Sequence, residues 1–227
     1  MTYLELCQKM IRDLGLQNTI SSVSAQTGMN KKVADWVADA DEYIQSLWID
    51  WNFLWAQHSE NTIAGTRLIT APSDLSAWDN NSIYLDYTSD DWQQLHKLDY
   101  LEWRSAYRQG TQTNDTPDRF VQLPNKNINL EPAPDKVYSF TGDYWKAVTR
   151  MSANATVSAI PARFHRIILA RAKIYYAEHD EFPTVFELAS KEYKELLNDL
   201  EAAELPGKSI NLRKSSSPGE ELQVVVE

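Results

Sequence analysis

The stretch VADWVADADEYIQSLWIDWNFLW, residues Val33 to Trp55, holds four of the eight tryptophans of this 227-residue chain. At helical spacing its apolar residues form one stripe, and its acids fall mostly on the other side. The stripe consists of Val33, Val37, Ala40, Ile44, Leu47 and Trp51. We expect an amphipathic helix here, with the tryptophans either in the core or on a surface that stacks against a ligand.

Composition narrows the class of protein. Hydrophobic residues make up 43% and charged residues 24% of the chain, which is ordinary for a globular protein with a real core. The formal net charge of −10 argues against a broad nucleic-acid-binding surface, which needs Lys and Arg to displace counterions. The single cysteine, Cys7, excludes an intramolecular disulfide and lies on an apolar stripe, so we expect it to be buried. No basic-then-apolar leader and no membrane-length apolar run occurs, so we expect a protein made in the cytosol with no membrane partner.

Helical signals cluster at the two ends of the chain. Thr2 and Glu5 form a capping-box pattern ahead of a first helix that Gly15 would end. A helix is predicted from Pro161 to about Glu178, and Thr184 with Glu187 repeats the capping-box pattern before a last helix that Pro206 ends.

Short β-type runs dominate the middle of the chain, between turn residues. Candidate strands are Thr62–Ala71, Ser82–Thr88 and, more weakly, Trp92–Lys97. After a short helix that Asp99 caps, Asp118–Leu123, Ile128–Glu131 and Val137–Thr141 read as three antiparallel strands of a meander.

These signals predict an α+β fold that is mainly α. Residues 1–54 and 161–205 would form an antiparallel four-helix bundle from two N-terminal and two C-terminal helices. Residues 55–160 would be a β-rich insertion with one short helix at 99–108, and residues 206–227 an extended C-terminal arm. The arm ends in strand-forming residues, so it either pairs with another chain or is a frayed end.

The chain carries no sequence signature of catalysis. No nucleophile elbow, Walker loop or dinucleotide fingerprint is present, and we expect no cofactor. The run His179-Asp180-Glu181 lacks further ligands at a fixed helical offset, so we expect no metal site. Acid pairs such as Asp39 with Asp41 and Asp90 with Asp91 could in principle serve a hydrolase, although such pairs are usually solvated.

Two further hypotheses concern surfaces. The tryptophans Trp78, Trp92, Trp103 and Trp145 could form a carbohydrate-binding or host-attachment module, because aromatic rings stack on sugars. Alternatively, an acidic face and a basic face could meet between neighbouring copies in a ring, or the basic residues could simply be solvated. The candidate inter-subunit residues are Asp35, Asp39, Asp41 and Glu42 on one side and Arg163, Arg166 and Lys173 on the other.

The order of these segments resembles the head-to-tail adaptor, or connector, proteins of short-tailed bacteriophages. The segments that carry the resemblance are Thr2–Leu14, Gln26–Gly28, Val33–Leu54, Leu98–Trp103, Pro117–Phe120, Leu130–Pro134, Ile160–His165, Tyr175–Glu178 and Tyr193–Glu201. The resemblance implies a non-enzymatic virion protein, assembled in the host cytoplasm, whose ring of about a dozen copies lies at the head–tail junction.

Such a ring would bind the portal protein and the tail nozzle or tail fibres, and double-stranded DNA would pass through it without specific binding. The resemblance also implies a C-terminal arm that embraces the portal or a neighbouring subunit. The candidate arm residues are Ile210, Leu212, Arg213, Leu222, Val224, Val225 and Val226.

Overall fold

The structure is a computed structural model that describes residues 1–88, 91–108 and 113–205. Its α-helices are α1 (Tyr3–Asp13), α2 (Gly28–Gln45), α3 (Tyr100–Ala106), α4 (His165–His179) and α5 (Pro183–Glu204). Its strands are β1 (Trp55–Asn61), β2 (Leu68–Ile69), β3 (Leu75–Trp78), β4 (Tyr84–Asp86), β5 (Trp92–Gln94), β6 (His96–Leu98), β7 (Asn114–Asp115), β8 (Arg119–Gln122), β9 (Ile128–Glu131), β10 (Ala133–Pro134) and β11 (Ser139–Lys146).

The predicted fold class, a mainly α four-helix bundle with inserted strands, is wrong. Only 40% of the structure is helical, and the described residues form three separate sheets. One sheet has the order β1-β11-β4-β5 with β3 also on β11, a second has the order β2-β9-β8-β6, and β10 pairs with β7. Most of these strands span two to four residues, which is too short for a period of two to stand out in the sequence.

The first helix begins as its sequence predicts. The Thr2 side chain accepts a hydrogen bond from the Glu5 backbone, and the Glu5 carboxylate accepts one from the Thr2 backbone at 2.8 Å. Cys7 is fully buried on this helix, and burial raises the pKa of its thiol to about 12. The prediction of a buried cysteine is confirmed.

The tryptophan-rich helix ends ten residues earlier than predicted, at Gln45. The indole of Trp51 folds back and donates to the carbonyl oxygen of Ile44 at 3.3 Å. That carbonyl, in the last turn of the helix, also accepts from the backbone N–H of Leu47 at 3.3 Å, so the indole is a second donor to it. Trp51 is fully buried, whereas Trp55 begins β1 with half of its surface exposed.

The predicted three-stranded meander is half right. The strands β8 and β9 pair antiparallel, with Phe120 opposite Leu130. The third run does not join them, because β11 lies in the other large sheet and pairs with β1, β3 and β4. The capping box predicted at Thr184 is also wrong, since α5 begins at Pro183 after Phe182 with no side-chain cap.

Two hydrophobic clusters organise the structure. The helical cluster draws its buried residues from Tyr3 to Leu54 and from Met151 to Leu200. The sheet cluster draws its buried residues from Ile69 to Tyr144, and its indole Trp78 is 4% exposed. Trp145 is half-buried against the helical cluster, directly after the last residue of the sheet cluster.

The chain enters and leaves the sheet cluster through two adjacent strands. The strand β1 follows a 3-10 turn at Asn52–Leu54, and it pairs antiparallel with β11 along its whole length, from Trp55 opposite Trp145 to Asn61 opposite Ser139. Both connections to the helical cluster therefore lie at the same end of this ladder.

Candidate interaction surfaces

The acidic residues of α2 fall into two groups. Asp35 is exposed, while Asp39 and Glu42 are partly exposed and both bind the guanidinium of Arg150, with 3.0 Å between Arg150 Nη1 and Glu42 Oε2. Arg150 follows β11, so this cluster fastens the segment returning from the sheet to the second helix. Exposed ion pairs of this kind contribute little free energy.

Asp41 does not belong to that surface, because its side chain is fully buried. It accepts hydrogen bonds from the Ser158 hydroxyl and from Gln45 Nε2, the latter at 2.8 Å. Burial raises the pKa of the Asp41 carboxyl to about 6, against the opposing effect of these two hydrogen bonds. The prediction that Asp41 contacts a neighbouring subunit is therefore wrong.

The three candidate basic residues all form ion pairs within the chain. Arg163 binds Glu204 at 3.0 Å and Arg166 binds Glu192 at 2.5 Å, so both reach from the start of α4 to α5. Lys173 binds Asp13 of α1 at 3.0 Å. Arg163 and Arg166 keep about two thirds of their side-chain surface exposed, so they remain available to a further partner.

The structure argues against a carbohydrate-binding surface made of all four candidate tryptophans. Trp78 and Trp103 are buried, and their indole groups donate to the Lys126 carbonyl at 2.8 Å and to the Glu131 carboxylate at 2.6 Å. Trp92 is 43% exposed and Trp145 is half-buried. The four rings therefore do not form one stacking surface.

The structure also shows where the residues of the candidate hydrolase and metal sites lie. Asp39 is tied to Arg150 while Asp41 is buried in the helical cluster, so the two carboxylates do not face one substrate. His179 contacts Asp180 and Lys32 rather than a set of ligands, and no group of His, Cys, Asp and Glu side chains in the described ranges could hold a metal. No helix within 1–88, 91–108 or 113–205 is long and apolar enough to cross a membrane.

The corner between α4 and α5 is a surface that the sequence did not reveal. Phe182, Phe186 and Leu188 are 46%, 39% and 67% exposed there. Phe186 precedes Ala189 and Tyr193 at helical spacing, but those two residues are buried and Phe186 is not. The signal available in the sequence was that Phe182 and Leu188 are large apolar residues outside the spacing of Ala189 and Tyr193.

The predicted arm lies outside the described residues. This applies to each of its candidate contacts, namely Ile210, Leu212, Arg213, Leu222, Val224, Val225 and Val226.

Comparison with known proteins identifies the family. No curated protein matches the chain. A family model described as "SU10 adaptor protein" matches residues 1–216, which is nearly the whole chain. This match confirms the resemblance to phage head-to-tail adaptors that the segment order predicted, and the chain belongs to the SU10 adaptor protein family.

Proposed function

We propose that this protein forms a ring that joins the portal to the tail nozzle or tail fibres and continues the DNA channel. The observation that carries the proposal is the family match over residues 1–216, which makes the chain a phage structural adaptor. Twelve copies would surround the channel, and assembly would take place in the host cytoplasm before the protein becomes part of the head–tail junction.

The charge of the chain supports a passive channel. At −10 the protein repels the DNA backbone, so DNA would slide through a ring of such subunits without being held. Specific DNA binding forms no part of the proposal.

Contacts between copies would use the exposed members of the two charged surfaces. Asp35 on one copy would face Arg163 and Arg166 on the next, an arrangement that suits a head-to-tail ring because the two surfaces differ. Asp35→Lys and Arg166→Glu should each weaken assembly, and a mixture of the two variants should restore it. Equal assembly by all three samples would contradict this contact.

We further propose that residues 1–54 and 161–205 act as the ring-forming part and residues 55–160 as an appended part that contacts the tail. The separate helical and sheet clusters support this division. The arm at 206–227 would embrace the portal or a neighbouring subunit.

The test is native mass spectrometry of the full chain mixed with the portal protein of the same virus. We expect a stoichiometric ring on the portal and monomers or weak oligomers without it. The absence of stoichiometric binding would overturn the proposal.

A deletion of Ser209–Glu227 tests the arm separately. It should weaken attachment to the portal and leave the circular dichroism of the rest unchanged. Undiminished attachment of the shortened chain would contradict a role for the arm.

A further inference from the structure

An open, largely apolar groove of about 500 Å³ lies at the corner where α4 passes into α5. Its apolar lining comes from three helices and the short turn between two of them. The apolar side chains are Leu14, Tyr176, Phe182, Val185, Leu188 and Ala189. A second, shallower depression adjoins it and shares Phe182. We call the two together the corner groove.

Several of the apolar side chains here are more exposed than is usual for their type. Leu188 is 67% exposed, Phe182 is 46% exposed, and Phe186 on the adjoining depression is 39% exposed. Contiguous exposed apolar side chains of this size usually mark a surface that binds a partner or ligand. The groove therefore favours an occupant with large apolar side chains.

The rim of the corner groove carries negative charge. Among the charged residues that line the groove, Lys173 is already paired with Asp13, and Glu192 is paired with Arg166. Glu178 and Glu181 line the adjoining depression, are exposed, and form no ion pair among the described residues. An occupant would therefore gain from cations placed beside its apolar side chains.

The chain itself contains a segment of this composition a few residues after Leu205, the last described residue. Residues 208–214 read KSINLRK, in which Ile210 and Leu212 alternate with polar residues and are flanked by Lys208, Arg213 and Lys214. We propose that the corner groove binds residues 208–214 of a second copy of this chain. Ile210 and Leu212 would enter the apolar lining, and the cations would lie near Glu178 and Glu181.

Chain length argues against the same copy as the donor. The groove lies at the start of α5, and the segment begins at its far end, after Leu205. From Leu188 to Leu205 the helix rises by about 25 Å, at 1.5 Å per residue. Ile210 lies five residues beyond Leu205 and reaches at most about 18 Å from it, and Leu212 reaches about 25 Å only if fully extended straight back along the helix. Within one molecule Ile210 falls short of Leu188 and Leu212 reaches it only at full extension, so a second copy is the better donor for both side chains.

The contact that follows is head-to-tail, because the donor segment and the acceptor groove are different surfaces. Such a contact repeats from copy to copy and closes into a ring when the rotation permits. The inference therefore deepens the proposed ring assembly and rests on it, by naming one contact that would hold neighbours together.

Disulfide trapping between two full-length variants tests the contact. One variant carries Leu188→Cys in the groove and the other carries Leu212→Cys in the segment, so a mixed disulfide forms only between two molecules. The native Cys7 does not compete, because it is fully buried and burial raises the pKa of its thiol to about 12. The matched control replaces the groove variant with Ser59→Cys on the exposed side of β1.

With the groove variant we expect the mixed dimer to form about tenfold faster than with the control, because docking raises the effective concentration of the two thiols. The reaction is run with and without the portal protein. Equal rates for groove and control in both conditions would overturn the inference.

A double variant places Leu188→Cys and Leu212→Cys in one chain. We expect it to form intermolecular ladders. A compact, internally bridged monomer would overturn the assignment to a second copy.

Charge reversal supplies an independent readout. Glu178→Lys with Glu181→Lys should slow the mixed disulfide several-fold, whereas Glu195→Lys, exposed further along α5, should not. An equal effect of both changes would contradict the role of the rim.

Portal binding is measured on the same samples to separate the two proposals. Portal binding without groove-selective trapping would refute the corner contact and leave the adaptor function standing. Groove-selective trapping without portal binding would leave the corner contact standing and refute the adaptor function.

Discussion

The helical cluster and the sheet cluster each close around a buried tryptophan, but they are built from the chain in different ways. Trp51 lies where two distant parts of the chain, up to Leu54 and from Met151 onward, come together. Trp78 lies in a cluster made from one continuous stretch between Ile69 and Tyr144. The first cluster therefore needs both ends of the chain to form, whereas the buried residues of the second come from a single segment.

The largest test of this comparison is a pair of tryptophan truncations. Trp51→Ala and Trp78→Ala should each lower the free energy of unfolding of their own cluster by about 3–5 kcal/mol, because each leaves a cavity of indole size. Hydrogen exchange resolved by peptide should show faster exchange in the truncated cluster alone. Equal acceleration throughout both clusters, for either variant, would show that they unfold as a single unit.

The stability of the sheet part depends strongly on one charge, that of Glu131, because this carboxylate belongs to a buried ion pair. Glu131 is 4% exposed and binds Arg67 Nη1 at 3.1 Å as well as the Trp103 indole. Glu131→Gln should destabilise by about 3 kcal/mol, because Arg67 is left buried without its counter-charge. Urea unfolding monitored by circular dichroism measures the loss.

The control for that change removes both charges. Arg67→Met with Glu131→Gln should recover part of the loss, since no buried charge is then unpaired. A double variant as unstable as Glu131→Gln alone would argue that the loss does not come from the unpaired charge of Arg67.

The helical part contains the opposite case, a carboxylate whose charge opposes folding. The folded-state pKa of Asp41 is about 6, above the ordinary value of 3.8, so the folded state binds the proton more tightly than the unfolded state. The protonated Asp41 carboxyl therefore stabilises the folded state. This stabilisation is full below pH 3.8 and is lost as the pH rises through 6. Relative to the native chain, Asp41→Asn should therefore gain about 1–2 kcal/mol between pH 5 and pH 8.

Urea unfolding at several pH values provides the measurement. Asp39→Asn is the matched control, because Asp39 is partly exposed on the same helix and should show no such gain. A difference between Asp41→Asn and the native chain that stays constant across this range would show that the charge is not penalised by burial.

The smallest effect is expected where the two parts are joined. Arg150 follows β11 and binds Asp39 and Glu42 of α2, but 42% of its side chain is exposed. Arg150→Ala should cost only about 0.5 kcal/mol, and less at high salt. A loss of several kcal/mol, insensitive to salt in urea titrations, would mean that this junction carries much of the stability.

The sequence predicted those features whose partners are close along the chain. The Thr2–Glu5 cap, the Asp99 cap of α3 and the β8–β9 pairing all depend on residues within a short distance of one another. Of the four tryptophans in the opening stretch, Trp36, Trp48 and Trp51 pack in or against the helical cluster, as the core alternative required.

Features set by distant partners could not be predicted. The hydroxyl that donates a hydrogen bond to the buried Asp41 belongs to Ser158, 117 residues away. The Trp51 side chain turns back onto the end of α2, although Leu47 and Trp51 continue the helical period in the sequence. The strand β1 was missed because its residues alternate between exposed and half-buried, so no apolar period marks it.

The paired strands β1 and β11 also determine how the molecule bears mechanical load. A force that pulls the sheet part away from the helical part acts on Trp55 and Trp145 together, since the two residues are opposite each other at the same end of the ladder. The two strands then share the tension as parallel tethers, and no hydrogen bond between them is pulled open. A force applied between the two chain ends would instead unzip the ladder one pair at a time. The same seven-residue ladder is thus stiff along the direction in which a protruding part would be pulled and weak in the other.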